Sequence, residues 1–344
     1  LPDLPAPLGM LDRVLAPGEK GETAVEVSLR GCDHKVPVNL SRFVAGTAYA
    51  MQQMVGVVHP VRNDESVERV PMGRFDVIRN AGIEAGDIGL VVFATLSPDY
   101  FFPGCGALVQ EQLGMPTVGA LDVRDQCSGF VYGLSVAESF VKGGFHDYVL
   151  VIGAEIHSRG LVFTTAARDT AVIFGDGAGA AVVGPAEEGR GILSSHLHSE
   201  GKHAGELCTE EPGFLRNPWI THEMIDAGRH FPKMNGRFVF THAVRRFPEV
   251  TREALEKNGL TLADLSLLIP HQANLRITNA VGAALQLPEG KVFSNIERYG
   301  NTTAASIPIA LDECIEQGRI REGDIVCLAA FGSGFTWASA LLRW

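Results

Sequence analysis

The segment Gly82-Ile83-Glu84-Ala85-Gly86-Asp87-Ile88 is the first of two similar stretches from which the fold can be inferred. Its opening glycine is typical of a helix end, and its last residue begins an apolar run of the kind found in a buried strand. Gly259-Leu260-Thr261-Leu262-Ala263-Asp264-Leu265 repeats this order later in the chain. The repetition indicates that one α/β unit occurs twice.

A second pair of stretches follows in the same order. Residues 140–151 and residues 314–328 each run from a helical pattern through a glycine into an apolar segment. Chance similarity is the alternative, but it explains two ordered pairs less well than one. We therefore predict two duplicated halves, residues 1–185 and residues 186–344.

Short apolar runs alternate with helical patterns along the chain. The runs are continuous, which is typical of strands buried on both faces of a sheet. They lie at residues 88–94, 148–153, 171–174, 265–269 and 325–330. Helical spacing occurs at residues 129–142, 247–257 and 304–316. This alternation predicts a layered α/β fold.

The composition excludes several classes of protein. With 46% hydrophobic and 20% charged residues, the chain resembles an ordinary globular protein. A net charge of −11 argues against nucleic acid or an anionic membrane as the main partner. No apolar run is long enough to span a bilayer, and residues 1–15 lack a secretion-signal pattern. We expect a cytoplasmic protein whose six scattered cysteines are reduced.

Cys127 is the candidate nucleophile. It follows the apolar segment at residues 118–123 and precedes the helical pattern that begins at Gly129. The sulfur is therefore expected at a helix N-terminus, where unpaired N–H groups and the helix dipole favour a thiolate. A buried structural cysteine is the alternative.

His271 and Asn301 are the other candidate catalytic residues. His271 directly follows the apolar run at residues 265–269, so its side chain could project into a cleft at the strand end. Asn301 lies in a turn of small residues before the helical pattern at residues 304–316. The alternatives are a core histidine and an asparagine that only stabilises a turn.

Other motifs do not indicate a cofactor or a metal. The glycine-rich segments at residues 175–180 and 331–335 lack the lysine of a phosphate-binding loop and the full dinucleotide-binding pattern. His196, His198 and His203 have only loosely the spacing of metal ligands. We predict no metal and no tightly bound cofactor.

Five motifs, taken together, are far more specific than any of them alone. They are Cys127-Ser128-Gly129-Phe130 and the segments at residues 174–180, 270–277, 299–306 and 331–337. In this order they resemble the thiolase superfamily and, within it, the β-ketoacyl-acyl carrier protein synthase III family of fatty-acid and polyketide initiation enzymes. The resemblance covers roughly residues 64–344.

The resemblance implies a thiolase-like five-layer αβαβα fold made of two duplicated halves, and a homodimer. It also implies a two-step reaction. Cys127 would accept an acyl group from acyl-CoA, and a malonyl thioester, on acyl carrier protein or CoA, would then lose carbon dioxide and attack the acyl-cysteine. Covalent catalysis of this kind splits one difficult transfer into two easier ones.

Roles for individual residues follow from the same resemblance. His271 and Asn301 would stabilise the enolate, and the backbone N–H groups of Cys127 and Ser333 would form an oxyanion hole. Phe102 would limit the acyl pocket across a subunit boundary. The phosphopantetheine or CoA arm would be bound by Arg168, Asn274 and Arg276.

Three other functions compete with condensation. A thiolase-fold acyltransferase would move the acyl group to an alcohol, amine or thiol without decarboxylation, but it would not require His271 and Asn301 together. Papain-like cysteine hydrolases also order Cys, His and Asn along the chain, yet their local cysteine signature is missing. A non-catalytic subunit would usually lose the nucleophile, which this chain keeps.

Overall fold

Two β-sheets, each from a different part of the sequence, organise the chain. The computed structural model describes residues 76–161 and 168–344, except for the side chains of Asp76, Arg168 and Asp169, and the backbone of three short strands. The strands are β1 Val38–Asn39, β2 Gln53–Val55, β3 Val57–Val58, β4 Ile88–Ala94, β5 Gly119–Val123, β6 Tyr148–Glu155, β7 Gly177–Val183, β8 Gly191–Ser199, β9 Leu207–Cys208, β10 Lys233–Met234, β11 Leu265–Pro270, β12 Ile325–Gly332 and β13 Thr336–Arg343. The helices are α1 Asp76–Asn80, α2 Cys105–Gln112, α3 Gly129–Lys142, α4 Arg168–Ala171, α5 His222–Asp226, α6 Gly236–Lys257, α7 Leu275–Leu285, α8 Ile296–Tyr299 and α9 Ser306–Glu316.

The larger sheet has the strand order β2-β7-β6-β4-β5, and the other has the order β11-β12-β13-β8. In the first sheet β4 runs parallel to β5 and β6, while β7 is antiparallel to both of its neighbours. In the second, only β11 and β12 are parallel. The five strands of the first sheet precede residue 186 and the four of the second follow it. The boundary at residue 186 itself stays a prediction.

Helices α3 and α9 lie between the two sheets. Their apolar side chains form one buried cluster with residues from both sheets, among them Val92, Val151, Leu328 and Ala338. Helices α1 and α2 cover the outer face of the first sheet, and α6 and α7 cover the outer face of the second. The order of layers is therefore helix, sheet, helix, sheet, helix.

Helix α3 packs closely on the first sheet because glycine occurs where the two meet. A Cβ added at Gly133 would lie 3.0 Å from the Val151 side chain and 3.4 Å from that of Val92. Phe130, Val131 and Leu134 are completely buried on the same helix. This packing fixes the start of α3 and, with it, the position of the turn that precedes the helix.

Two of the sequence predictions for these elements are wrong in part. Residues 171–174 do not form a strand, because α4 ends at Ala171 and only Phe174 makes an isolated parallel bridge, with Asn301. The strand lies instead at Gly177–Val183. The helix predicted at residues 247–257 begins at Gly236, with Pro248 inside it. Helix α3 has the predicted bounds.

Within the described part of the chain, none of the helices is both long and apolar enough to cross a membrane.

Candidate active site

Cys127 lies in the turn between strand β5 and helix α3. The turn is a short 3-10 helix, Gln126–Ser128, and α3 begins at Gly129. Gln126 has a φ angle of 40°, in a left-handed region that residues with side chains seldom adopt. Cys127 is only 8% exposed. The predicted position of the sulfur at a helix start is confirmed.

The end of strand β12 covers the Cys127 side chain. A Cβ added at Gly332 would lie 2.4 Å from Cys127 Cβ and 2.8 Å from Cys127 Sγ, so no larger residue fits without moving the nucleophile. The backbone N–H groups of Ser333 and of Cys127 itself act on the sulfur in the direction that lowers its pKa, against the larger effect of burial. These are the two groups predicted to form an oxyanion hole, a role that stays a prediction.

His271 follows directly on strand β11 and is 1% exposed. Its backbone N–H donates to the Ala329 carbonyl on β12 at 2.7 Å, which continues the parallel pairing of the two strands. Its Nε2 atom is buried and has no hydrogen-bond partner among the described residues. Burial, together with the neighbouring His157, lowers the pKa of His271 to about 3. The imidazole is therefore neutral at physiological pH.

Ser306 determines which nitrogen of His271 carries the proton. Its Oγ lies 2.6 Å from His271 Nδ1 and 2.9 Å from the Thr303 carbonyl. The hydroxyl has one proton for these two acceptors. When it donates to Nδ1, Nε2 carries the imidazole proton and can donate; when it donates to Thr303, Nε2 is a base.

Asn301 is held by both its backbone and its side chain. Its N–H donates to the Ile173 carbonyl at 2.8 Å, and its own carbonyl accepts from Gly175 N–H at 3.0 Å. The side-chain Oδ1 accepts from Thr303 N–H at 2.9 Å. This bond makes Asn301 a turn-stabilising asparagine and also leaves its Nδ2 group without an acceptor among the described residues.

The tertiary structure brings these elements to one place. The turn that contains Cys127 packs against the turn Thr303–Ala305 and against strand β12. Asn301 and Ser306 lie on either side of the turn Thr303–Ala305. His271 is hydrogen-bonded to strand β12. The site therefore combines a buried thiol, an unpartnered imidazole nitrogen and an unpartnered amide group.

Comparisons with known proteins identify the family. Residues 121–201 match the model of 3-oxoacyl-[acyl-carrier-protein] synthase III, and residues 255–344 match the model of its C-terminal part. The chain is 45% identical over 267 residues to the β-ketoacyl-[acyl-carrier-protein] synthase III of Clostridioides difficile strain 630, covering 78% of this chain and 80% of the relative. The chain belongs to the 3-oxoacyl-[acyl-carrier-protein] synthase III family.

Solved structures of synthase III proteins agree with this conclusion. The enzyme from Aquifex aeolicus VF5 matches with a TM-score of 0.72 at 41% identity, over 79% of this chain and 82% of that one. The priming β-ketosynthase of the R1128 polyketide pathway matches with a TM-score of 0.71 at 33% identity, over 77% and 78% of the two chains. The predicted thiolase-like α/β fold is confirmed.

In this synthase III family member, burial controls the protonation of the nucleophile. Removal from water, with a smaller contribution from the nearby Glu155 carboxyl, raises the pKa of the Cys127 thiol to about 12. A helix terminus contributes at most about 2 kcal/mol, whereas burying an ion requires several kcal/mol. Burial therefore opposes the thiolate that the helix start favours, and the thiolate itself stays a prediction.

The reactivity of Cys127 towards iodoacetamide should consequently rise with pH. Only the thiolate reacts, and a pKa near 12 leaves the group protonated throughout the neutral range. We expect the rate to increase about tenfold per pH unit between pH 7 and pH 9, as measured by mass spectrometry of the peptide that contains Cys127. A rate that is already constant above pH 7 would instead indicate a thiolate stabilised by the helix.

The residues predicted to bind substrate occupy different environments, and none of their roles is tested by the structure. Phe102 is 82% exposed in the loop before α2, and its ring meets that of Phe101 edge to face. Asn274 caps helix α7, where its side chain accepts from Arg276 N–H at 2.9 Å. Arg276 is exposed. Arg168 is the first residue of α4, and its side chain lies outside the described residues.

Two of the three histidines with loose metal spacing, His196 and His198, lie beside one carboxylate. His198 Nε2 lies 2.6 Å from the Glu253 carboxylate, and His196 Nδ1 lies 3.6 Å from it. In the part of the chain that the structure describes, no group of three or more His, Cys, Asp or Glu residues is arranged to hold a metal ion.

Sequence reasoning missed three residues of this site. Glu155 is buried near the nucleophile. Burial raises the pKa of its carboxyl to about 7, although hydrogen bonds from Ser97, Leu96 N–H and Thr95 act in the opposite direction. His157 and Thr303 are buried and hydrogen-bonded to each other. Thr303 belongs to the motif at residues 299–306, but its contact with His157 is not visible in the sequence. Nothing in the local sequence marks Glu155 and His157, because their partners come from distant segments.

Proposed function

We propose that this protein is a condensing enzyme that loads an acyl group from acyl-CoA on Cys127 and extends it with a malonyl thioester. The observation that carries the proposal is the juxtaposition of a buried thiol with two unpartnered polar groups, His271 Nε2 and Asn301 Nδ2. A buried polar atom without a partner, such as His271 Nε2, is unfavourable unless a ligand completes it. A thioester carbonyl oxygen is a suitable ligand.

In the first half-reaction the Cys127 sulfur attacks the acyl-CoA carbonyl. The new carbon–sulfur bond forms as the bond to CoA breaks, and the thiol proton leaves with the CoA sulfur. Negative charge develops on the carbonyl oxygen of the tetrahedral intermediate. The N–H groups of Cys127 and Ser333 adjoin the sulfur, and they would stabilise that charge.

In the second half-reaction the malonyl thioester loses carbon dioxide, and the electron pair of the broken carbon–carbon bond forms an enolate. Donors from His271 and Asn301 would stabilise the enolate oxygen. This role requires the proton of His271 on Nε2, which the Ser306 hydroxyl provides when it donates to Nδ1. The enolate carbon then attacks the acyl-cysteine, and the released thiolate takes up a proton.

The related proteins support acyl carrier protein as the malonyl carrier, since their names include it. They also support initiation of fatty-acid synthesis, and the R1128 priming ketosynthase supports polyketide initiation as the specialised variant of the same chemistry. A simple acyltransferase remains the second candidate, but it would not use two enolate donors. Cytoplasmic location and the absence of a bound cofactor stay predictions.

Intact-protein mass spectrometry tests the proposed function directly. The protein is incubated with a panel of acyl-CoAs and then with malonyl-acyl carrier protein or malonyl-CoA. We expect a mass gain on Cys127 that disappears with the malonyl donor and yields a β-ketoacyl product. An adduct that malonyl donors cannot discharge would favour the acyltransferase, and no adduct would contradict the cysteine mechanism.

We also propose a homodimer formed through strand β5. This strand is at the edge of its sheet, pairs only with β4 among the described strands, and is largely exposed. Leu121 on it is 41% exposed. An exposed edge strand pairs readily with a second copy of itself. Asp122 accepts from the N–H groups of Cys105 and Gly106, which ties the edge to the start of α2 near Phe102.

Light scattering should therefore give twice the 36.9 kDa mass of one chain. Leu121→Lys should shift the protein towards monomer, because it places a charge on the pairing strand. Phe145→Lys is the matched control, since Phe145 is 72% exposed but lies outside β5. Equal effects of the two substitutions, or a monomeric unmodified protein, would contradict this interface.

A further inference from the structure

Thr303 is hydrogen-bonded to Asn301, to a histidine to which no role is assigned, and to the serine that is itself hydrogen-bonded to His271. Its N–H donates to Asn301 Oδ1 at 2.9 Å. Its carbonyl accepts from Ser306 Oγ at 2.9 Å, and the same Oγ lies 2.6 Å from His271 Nδ1. Its own Oγ1 lies 2.7 Å from His157 Nε2. All five residues are buried, so water does not compete for these bonds.

The backbone of Thr303 is in a conformation that its side chain disfavours. Its φ angle is 48°, and β-branched residues are rarely found in this left-handed region. Such conformations persist where surrounding contacts enforce them, and they cluster at active sites. Here the N–H, carbonyl and hydroxyl groups of Thr303 are each hydrogen-bonded. Loss of one bond would allow the turn to relax.

His157 connects this turn to the rest of the protein. It lies two residues beyond strand β6, and its ring packs on Phe174 with centroids 4.8 Å apart. Phe174 in turn bridges to the backbone of Asn301. Burial lowers the pKa of His157 to about 4, so the ring is neutral at pH 7 and has one donor and one acceptor nitrogen. It can thus hold the Thr303 hydroxyl in either direction.

We propose that Thr303, held by His157, is a positioning residue that sets the orientation of Asn301 and the proton of His271 for condensation. The bond from Thr303 N–H turns the Asn301 amide so that Nδ2 stays free for the thioester oxygen. The Thr303 carbonyl competes with His271 Nδ1 for the Ser306 proton, so a shift of this carbonyl changes the state of Nε2. The inference rests on the proposed function.

Thr303→Val tests the proposal, because valine keeps the β-branched shape of the side chain and replaces the hydroxyl with a methyl group that cannot hydrogen-bond. We expect condensation to fall about ten- to a hundredfold, the effect of a small misplacement of catalytic groups. Acylation of Cys127, which does not use the enolate donors, should change by less than about threefold. Thr303→Ser restores the hydroxyl and should recover most of the condensation rate.

Thr251→Val is the matched control. Thr251 is fully buried and its hydroxyl donates to the Phe247 carbonyl within α6, so the same chemical change occurs outside the network. This variant should not reduce condensation more than it reduces acylation of Cys127. Thermal unfolding of each variant shows whether the protein remains folded.

A double-mutant cycle that combines Thr303→Val with His157→Leu tests whether Thr303 and His157 act through their shared hydrogen bond. If Thr303 and His157 act through their shared bond, the double variant should condense no more slowly than the slower single variant. His157→Leu leaves the turn sequence unchanged, so it also gives the answer if Thr303→Val does not fold.

Independent, multiplicative effects would overturn the proposal, as would equal losses of acylation and condensation. Unchanged condensation in both single variants would overturn it too. The unmodified protein separates this result from failure of the proposed function: if it forms no acyl-enzyme or no ketoacyl product, the function is wrong, whereas normal condensation with unaffected variants contradicts only the role of Thr303.

Discussion

Cys127→Ala should abolish the covalent acyl adduct and lower condensation by roughly a thousandfold or more, as expected when a covalent nucleophile is removed. The substitution deletes the sulfur on which the N–H groups of Ser333 and Cys127 act. Alanine keeps the backbone and the Cβ atom of the turn, so Gly332 can still pack against residue 127. The remaining machinery therefore stays in place while the acceptor for the acyl group is lost.

Cys314→Ala provides the control for this experiment. Cys314 is also a buried cysteine, but it lies in helix α9 within the central core. Its substitution should leave the mass gain after acyl-CoA treatment intact. A persistent covalent acyl label on Cys127→Ala, confirmed by peptide mapping, would disprove the assignment of the nucleophile.

Asn301→Asp and His271→Ala should suppress malonyl decarboxylation by about a hundred- to a thousandfold, the usual effect of losing one donor to a developing oxyanion. Aspartate is the sharper change because it keeps the oxygen that accepts from Thr303 N–H and replaces the amide donor. His271→Ala removes the buried Nε2 atom. Acylation of Cys127 should fall much less in both variants.

The two half-reactions can be measured separately on the same samples. The first is the mass gain with acyl-CoA, and the second is the release of labelled carbon dioxide from a malonyl thioester. Equal loss of both steps in either variant would contradict the proposed division of labour. Asn235→Ser is a suitable control, because Asn235 caps helix α6 by accepting from Phe238 N–H, and serine removes the amide group while keeping a capping oxygen.

Local patterns predicted those elements whose packing agrees with their own periodicity. Helix α3 was predictable to the residue because its apolar spacing matches a helix that is buried between two sheets. The apolar run at residues 171–174 is not a strand, since short apolar runs do not distinguish strand from turn. Pro248 made α6 look shorter than it is, because proline usually marks a helix start.

The protonation of Cys127 shows why a motif alone could not describe the site. The sequence correctly indicated a cysteine at a helix start, and that setting favours a thiolate. Gly332, more than two hundred positions away, closes over the sulfur and helps to exclude water. Burial then raises the pKa of the thiol against the effect of the helix terminus, which no local pattern around residue 127 could reveal.

The sequence by itself determined the α/β fold and the family, and it predicted Cys127, His271 and Asn301 as the catalytic residues, because periodicity and short motifs are local properties of the chain. Only the tertiary structure revealed the burial of the thiol and the contact between His157 and Thr303. These depend on burial and on hydrogen bonds between residues up to 146 positions apart. Such contacts exist only after the two sheets have packed around their shared helices.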